Sequence, residues 1–255
     1  MHIVKGIVIA FSVYSKIPVP QFQWEAEDMK YMLCFFPWIG AVIGGCVYLW
    51  NRGCWHLGVG DLCRVAITAA IPLVITGGFH VDGFMDTMDA FRSYQPRERK
   101  LEILKDAHIG AFAVIMLAVY GLIYVGAFSE IRDEKCLGIV CMFFFLARCF
   151  SGIGVVCFPS AKKEGMLYAF ADGAQKRRVK WVLILQAVVC VGGMLMVDMY
   201  IAGGIVLTAL AVFGWYYWKC KKELGGITGD TAGWFVVICE GAVTAAAAGL
   251  NLLFV

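Results

Sequence analysis

Gly77-Gly78-Phe79-His80-Val81-Asp82-Gly83-Phe84-Met85-Asp86-Thr87-Met88-Asp89 closes a long apolar run and opens a basic segment. Its three carboxylates stand at i, i+4 and i+7. A helix gathers those offsets on one face, because 3.6 residues make a turn. His80 lies just ahead of them, and Gly83 leaves room for something bulky to approach the backbone. Three aspartates on one face repel one another unless a cation or protons intervene. Hard oxygen donors of this kind suit Mg²⁺, which is typically held by one or two carboxylates plus substrate phosphates. A solvated acidic face is the plain alternative. Beside a membrane segment carboxylates are costly and usually functional, which favours a site built on Asp82, Asp86 and Asp89 with His80 in support.

The membrane setting comes from composition. The chain is 61% apolar with a mean hydropathy of +0.76, whereas soluble domains run at about 45–50% apolar. An all-α, polytopic integral membrane bundle is expected, as a single membrane-embedded domain over residues 1–255. No secretory signal is read at the N-terminus, which lacks a small-residue cleavage site after a clean apolar run. The eleven cysteines are scattered, without a CxxC pair, and mostly inside apolar runs. They read as small hydrophobes rather than as disulfides or zinc ligands.

About seven spans follow from runs near 20 residues long: Tyr31–Trp50, Leu62–Thr76, Ile109–Phe128, Cys136–Phe158, Trp181–Val197, Ile201–Trp218 and Ala232–Phe254. Ile3–Tyr14 is short for a span, and Ser15-Lys16-Ile17-Pro18-Val19-Pro20 breaks any helix. Residues 1–20 are therefore read as an interfacial or re-entrant element. The loops at Arg92–Asp106, Ala161–Lys180 and Lys219–Asp230 are basic. Those at Asn51–Asp61, Ser129–Lys135 and Asp198–Tyr200 are poor in Lys and Arg. The positive-inside rule puts the basic loops, and the Asp cluster with them, on the cytoplasmic side of the membrane.

Arg148 and Glu240 are ionisable groups inside apolar runs, where function is the default expectation. A structural ion pair between them is the alternative. The Arg92–Lys100 cluster is a topology signal that would also suit phosphate, which Arg matches in bidentate geometry. Asp106 fits a helix cap ahead of the third span. Acids for a metal, basic residues for phosphate and a membrane face together point to phosphoryl-group transfer. A transporter with intramembrane acids stays open on these grounds.

At these residues the chain resembles the cobalamin synthase (adenosylcobinamide-GDP ribazoletransferase) family. The resemblance runs through Ile17-Pro18-Val19-Pro20, Phe36-Pro37 with Gly40 and Gly44, and His80-Val81-Asp82-Gly83 with Asp86 and Asp89. It continues through Arg97 to Ile103, Lys105-Asp106, Gly225-Gly226-Ile227-Thr228-Gly229-Asp230, and Glu240. The chain departs from the family at Ala90, where Gly is frequent, and at Val237, where a further acid is frequent. The resemblance implies a Mg²⁺-dependent membrane enzyme that joins adenosylcobinamide-GDP to α-ribazole or its 5′-phosphate and releases GMP. It implies catalytic roles for His80, Asp82, Asp86 and Asp89, and adds Asp106 to a metal set of Asp82, Asp86 and Asp89. Arg92, Arg97, Lys105, Arg148, Thr228 and Asp230 become substrate-binding candidates. No nucleic-acid partner is expected, and a homo-oligomer is left open. CDP-alcohol phosphotransferases arrange aspartates in a related way, but their Asp-Gly-x-x-Ala-Arg opening is missing here.

Overall fold

The computed structural model describes residues 2–20, 23–24, 26–161 and 175–254. In order these form α1 (His2–Tyr14), α2 (Ala26–Met29), a 3₁₀ turn (Met32–Cys34), α3 (Phe36–Leu57), α4 (Asp61–Thr76) and α5 (Phe79–Arg92). Then come α6 (Arg97–Ile103), α7 (Ala111–Ser129), α8 (Glu134–Cys157), α9 (Lys176–Val197), α10 (Met199–Leu224) and α11 (Gly229–Phe254). Among the described residues the one β feature is an isolated bridge between Ser160 and Ile227. Hydrocarbon offers no hydrogen bonds, so each spanning segment satisfies its own backbone as a helix.

Six of these segments are long and apolar enough to cross a bilayer: Met32–Leu57, Ala111–Ser129, Glu134–Cys157, Lys176–Val197, Met199–Leu224 and Gly229–Leu253. The seventh expected span is a bent pair. α4 and α5 qualify only together, and the chain turns by 95° between them. α4 alone has 16 residues, about 24 Å of rise against a core of roughly 30 Å. The bend has a local cause. Gly77 at φ +63° caps α4, and Gly78 at φ +78° follows it. Two left-handed residues in succession suit glycine, which has no Cβ to clash. The Asp cluster therefore lies on a helix that turns away from its span. α1 is an apolar helix too short to cross. Its end is tied to the elbow by the Lys16 N–H, which donates to the Ile75 carbonyl at 2.7 Å.

Several helices outrun their apolar stretches. α3 continues past Trp50 because the polar residues that follow find partners. Asn51 Nδ2 donates to the Val47 carbonyl (2.8 Å) and to Thr68 Oγ1 (2.9 Å), and Asn51 Oδ1 accepts from Arg64 Nη1 (2.8 Å). Arg64, fully buried, also donates to Asp61. The loop expected over Asn51–Asp61 shrinks to residues 58–60. Lys219, Lys221 and Lys222 are helical too, at the carbonyl end of α10, where cations are favoured. Of the basic loop expected over 161–180, Lys176 to Lys180 open α9, and residues 162–174 lie outside the described residues.

α8 is the central helix, with most of its residues buried. It meets α3 where Gly40 and Gly44 rest on the backbone of Phe144 and Cys141, so close that a Cβ at either glycine would overlap main-chain atoms. This is the small-residue packing that lets helices associate in lipid. Toward α11, Ser151 Oγ donates to the Ala232 carbonyl at 3.3 Å. Eight of the eleven cysteines are buried. Contacts define two ends of the bundle. At one, Tyr48 and Arg52 of α3 meet Glu134 of α8, and Asn51 holds Arg64. At the other, Lys100 of α6 pairs with Glu223 of α10, and Arg178 of α9 reaches the Tyr31 hydroxyl.

Candidate active site

α5 leaves the elbow and crosses the first turns of α11. A Cβ on Gly83 would stand 2.7 Å from the Asp230 carbonyl oxygen and 3.0 Å from its Cα, and one on Gly233 would stand 3.2 Å from the His80 carbonyl oxygen. The two backbones are in contact, which requires the small residues present on both sides. The start of α11 is fixed by a reciprocal cap. Thr231 N–H donates to Thr228 Oγ1 (3.2 Å), while Thr228 N–H donates to Thr231 Oγ1 (2.8 Å). This is the capping-box arrangement with a second Thr in the usual Glu position. The Thr228 hydroxyl also donates to Asp230 Oδ2 at 3.2 Å. The preceding turn is held by the strand-like pairing of Ile227 with Pro159 and Ala161.

On this frame the expected residues divide. Asp82 is exposed, and it lines a surface cavity of about 430 Å³ with Lys16, Thr76 and the elbow glycines. Asp86, half-buried, lies one turn further along and shares the Gly83 side of α5 that meets α11. Asp89 has a different task. Its Oδ2 accepts from Gly110 N–H (2.7 Å) and its Oδ1 from Ala113 N–H (2.8 Å), so it caps α7 across a gap of more than 20 residues. An anion is favoured there by the unpaired amides of a helix start. Asp106 is exposed and accepts from the side chain (2.6 Å) and N–H (3.0 Å) of His108, which hold its carboxyl below the usual carboxylate range.

His80 is 5% exposed. Its ring packs beside Phe36 and Phe79, each with ring centroids 5.5 Å away, and Tyr14 at 6.3 Å. It borders a small internal cavity of about 70 Å³ with Ser151 and Gly233, not the cavity at Asp82. Neither ring nitrogen has a hydrogen-bond partner among the described residues. Arg148 is 1% exposed and donates to Glu240 Oε1 at 2.7 Å and to the Phe144 carbonyl at 2.8 Å. The ion pair is the structural alternative weighed for these residues, and it ties α8 to α11. Arg92, Arg97 and Lys105 are exposed around the other end of α5. The Arg97 guanidinium lies over Gly225, in the turn that leads to Thr228 and Asp230.

Among the described residues no three His, Cys, Asp or Glu side chains stand together as a ready metal cage. Asp82, at the cavity, and Asp86, one turn further along α5, remain as an i, i+4 pair. That donor set fits Mg²⁺ that keeps waters and completes its shell with substrate phosphates. Sequence reasoning missed Lys16 as a wall of this cavity, having treated it as part of a helix-breaking tail.

The family described as CobS, cobalamin-5-phosphate synthase, matches residues 6–248. A Lachnoclostridium phytofermentans protein named adenosylcobinamide-GDP ribazoletransferase is 45% identical over 240 residues, covering 94% of this chain and 92% of its own. Proteins of the same name from Clostridium perfringens and Listeria monocytogenes are 31% and 32% identical. They cover 92% and 90% of this chain, and 94% and 91% of their own. No solved structure matches. With a match that spans nearly every helix, including the elbow, the acidic α5 and the Thr228 cap, the chain belongs to the CobS, cobalamin-5-phosphate synthase, family.

Proposed function

We propose that the protein joins adenosylcobinamide-GDP to α-ribazole, or to α-ribazole 5′-phosphate, with release of GMP, at the cavity where α5 opens beside α11. The observation that carries the site is the elbow. It swings α5 across the bundle so that Asp82 opens to a cavity while Gly83 rests on Asp230. The name shared by the relatives supplies the reaction.

A hydroxyl oxygen of the ribazole ribose attacks the phosphorus nearer cobinamide. The bond from that phosphorus to the GMP oxygen breaks, and its electron pair departs with GMP. Asp82 and Asp86 would hold Mg²⁺, which when bound neutralises the diphosphate and the charge that grows on the leaving oxygen. A carboxylate at the cavity accepts the hydroxyl proton, since a base must lie within hydrogen-bond reach of the proton it takes. His80, enclosed by aromatic rings, supports α5 from behind. Arg97, over the turn that carries Thr228 and Asp230, suits a phosphate oxygen. Asp89 fixes the far end of α5 through its cap on α7.

The cavity end of the bundle gathers Lys16, Arg92, Arg97, Lys100, Lys105, Lys176, Arg177, Arg178 and the lysines that end α10. That asymmetry supports a cytoplasmic site. The test uses purified full-length protein in lipid nanodiscs with adenosylcobinamide-GDP, α-ribazole and Mg²⁺. GMP and a corrinoid product should appear together, stop on chelation and resume when Mg²⁺ is restored. Absence of GMP in every lipid and metal condition would refute the assignment.

A further inference from the structure

The cavity at Asp82 has a second wall that the reaction above does not use. It comes from the end of α1: Ser12, Ser15 and Lys16 face it alongside Thr76, Asp82 and Met85. Lys16 is held in place by its backbone, through the bond to Ile75, and by its methylenes, which lie against Gly77. The stem is packed while the residue as a whole stays exposed, the usual way a lysine presents its ammonium. Lys16 makes no ion pair among the described residues, so it shares the cavity with Asp82 without neutralising it. A third feature bounds the same space. The α5 N-terminus opens on it at Gly78, which brings no side-chain cap to the first amides of the helix. Amides at a helix start attract anions.

An ammonium and helix-start amides around one cavity are complementary to a phosphate, and the carboxylate beside them would hold the divalent ion that offsets its own charge. About 430 Å³ is near the lower end of small-molecule sites, which run from roughly 300 to 1,000 Å³. That volume suits a nucleotide end rather than a corrin ring.

We propose that this cavity is a phosphate-binding subsite in which Lys16 holds a phosphate of a nucleotide-sized substrate against Asp82. The proposal rests on the transferase reading. It makes α1 part of the active site instead of a membrane anchor alone. The phosphate has two sources, the diphosphate of the activated corrinoid and the 5′-phosphate of the acceptor, and the experiment separates them.

Lys16→Met keeps the packed stem and removes the charge. Purified full-length variant and wild type are compared for GMP release with α-ribazole and with α-ribazole 5′-phosphate as acceptors. A loss of about tenfold or more in kcat/KM with both acceptors places the corrinoid diphosphate on Lys16. A comparable loss confined to the phosphorylated acceptor places its 5′-phosphate there. Rates within twofold of wild type for both acceptors overturn the proposal. A second measurement needs neither turnover nor a variant. Amine acylation of Lys16 in the wild-type protein is followed by peptide mass spectrometry, with inorganic pyrophosphate and Mg²⁺ as the probe. Slowed acylation of Lys16, with Lys135 at the opposite end unaffected, supports the subsite, and equal acylation at both positions refutes it. Wild type that releases no GMP yet shows this protection would sink the transferase reading and leave the subsite standing.

Discussion

Adding one methyl group at Gly83 tests the way α5 is seated. In Gly83→Ala the new Cβ would lie 2.7 Å from the Asp230 carbonyl oxygen and 3.0 Å from its Cα, both backbone atoms with no rotamer to relieve the clash. Packed Cβ atoms essentially never come within 3.0 Å and rarely within 3.4 Å. The helices must therefore separate by 3.0 − 2.7 = 0.3 Å at least, and by 3.4 − 2.7 = 0.7 Å for ordinary contact. Inserting a methylene into packed structure costs about 1–3 kcal/mol. Helix propensity returns up to about 1 kcal/mol of that, since Ala outranks Gly. Net stability should thus fall by no more than about 3 kcal/mol, and the protein should assemble. Activity is more exposed, because displacements near 1 Å cost on the order of a hundredfold. GMP release should drop by about 10- to 100-fold, while the thermal unfolding midpoint shifts modestly. Gly45→Ala is the control: a Cβ there meets nothing within 4 Å, so GMP release should stay at wild type while helix propensity leaves the unfolding midpoint unchanged or raises it. If Gly83→Ala turned over at the wild-type rate, the seating of α5 on α11 would not govern the chemistry.

Other outcomes follow from the same geometry. Asp82→Asn and Asp86→Asn should abolish Mg²⁺-dependent GMP release without loss of fold. Asp89→Asn should instead destabilise the α7 start by about 1 kcal/mol, as lost caps do, with its Mg²⁺ requirement unchanged; titrations of rate against Mg²⁺ tell the two behaviours apart. Arg148→Met leaves Glu240 buried without its partner, at a cost of about 3–5 kcal/mol. The paired change with Glu240→Met should recover most of the lost thermal stability, and a double variant no more stable than the single one would contradict a closed pair. In a background without native cysteines, Glu130→Cys should label from outside intact cells and Lys176→Cys should not; the reverse pattern would invert the orientation.

Much of this architecture was legible in local pattern. Apolar runs located every spanning helix, and the i, i+4, i+7 offsets placed Asp82, Asp86 and Asp89 on a helix. Arg148 and Glu240 stood out because charge inside hydrocarbon demands a partner. What stayed hidden depended on long-range contact. Asp89 shares spacing with its neighbours, yet its carboxylate is claimed by amides of α7, and no local signal distinguishes a metal ligand from a distant cap. Hydropathy ended α3 at Trp50 because it cannot register that Asn51, Thr68 and Arg64 satisfy one another. Hydropathy ended the second span at Thr76 but gave no sign of the 95° bend after it, which depends on Gly77 and Gly78 both taking positive φ. Lys16 looked like debris before two prolines, and only its contact with the elbow brings it to the cavity.

The Asp89 cap has a mechanical side. α7 is a 19-residue rod that turns Val114, Ile115, Val119, Leu122 and Ile123 toward lipid. Its length, about 28 Å, is close to the thickness of a typical hydrocarbon core, so its tilt answers to the bilayer around it. The amides at its start are grasped by the same short helix that presents Asp82. A change in lipid chain length that reorients the rod should thereby be felt at α5 and the site proposed on it, so that the membrane would act as a load as well as a solvent. Turnover measured across nanodiscs of graded lipid length should pass through an optimum, and a flat profile would show that the load is not transmitted.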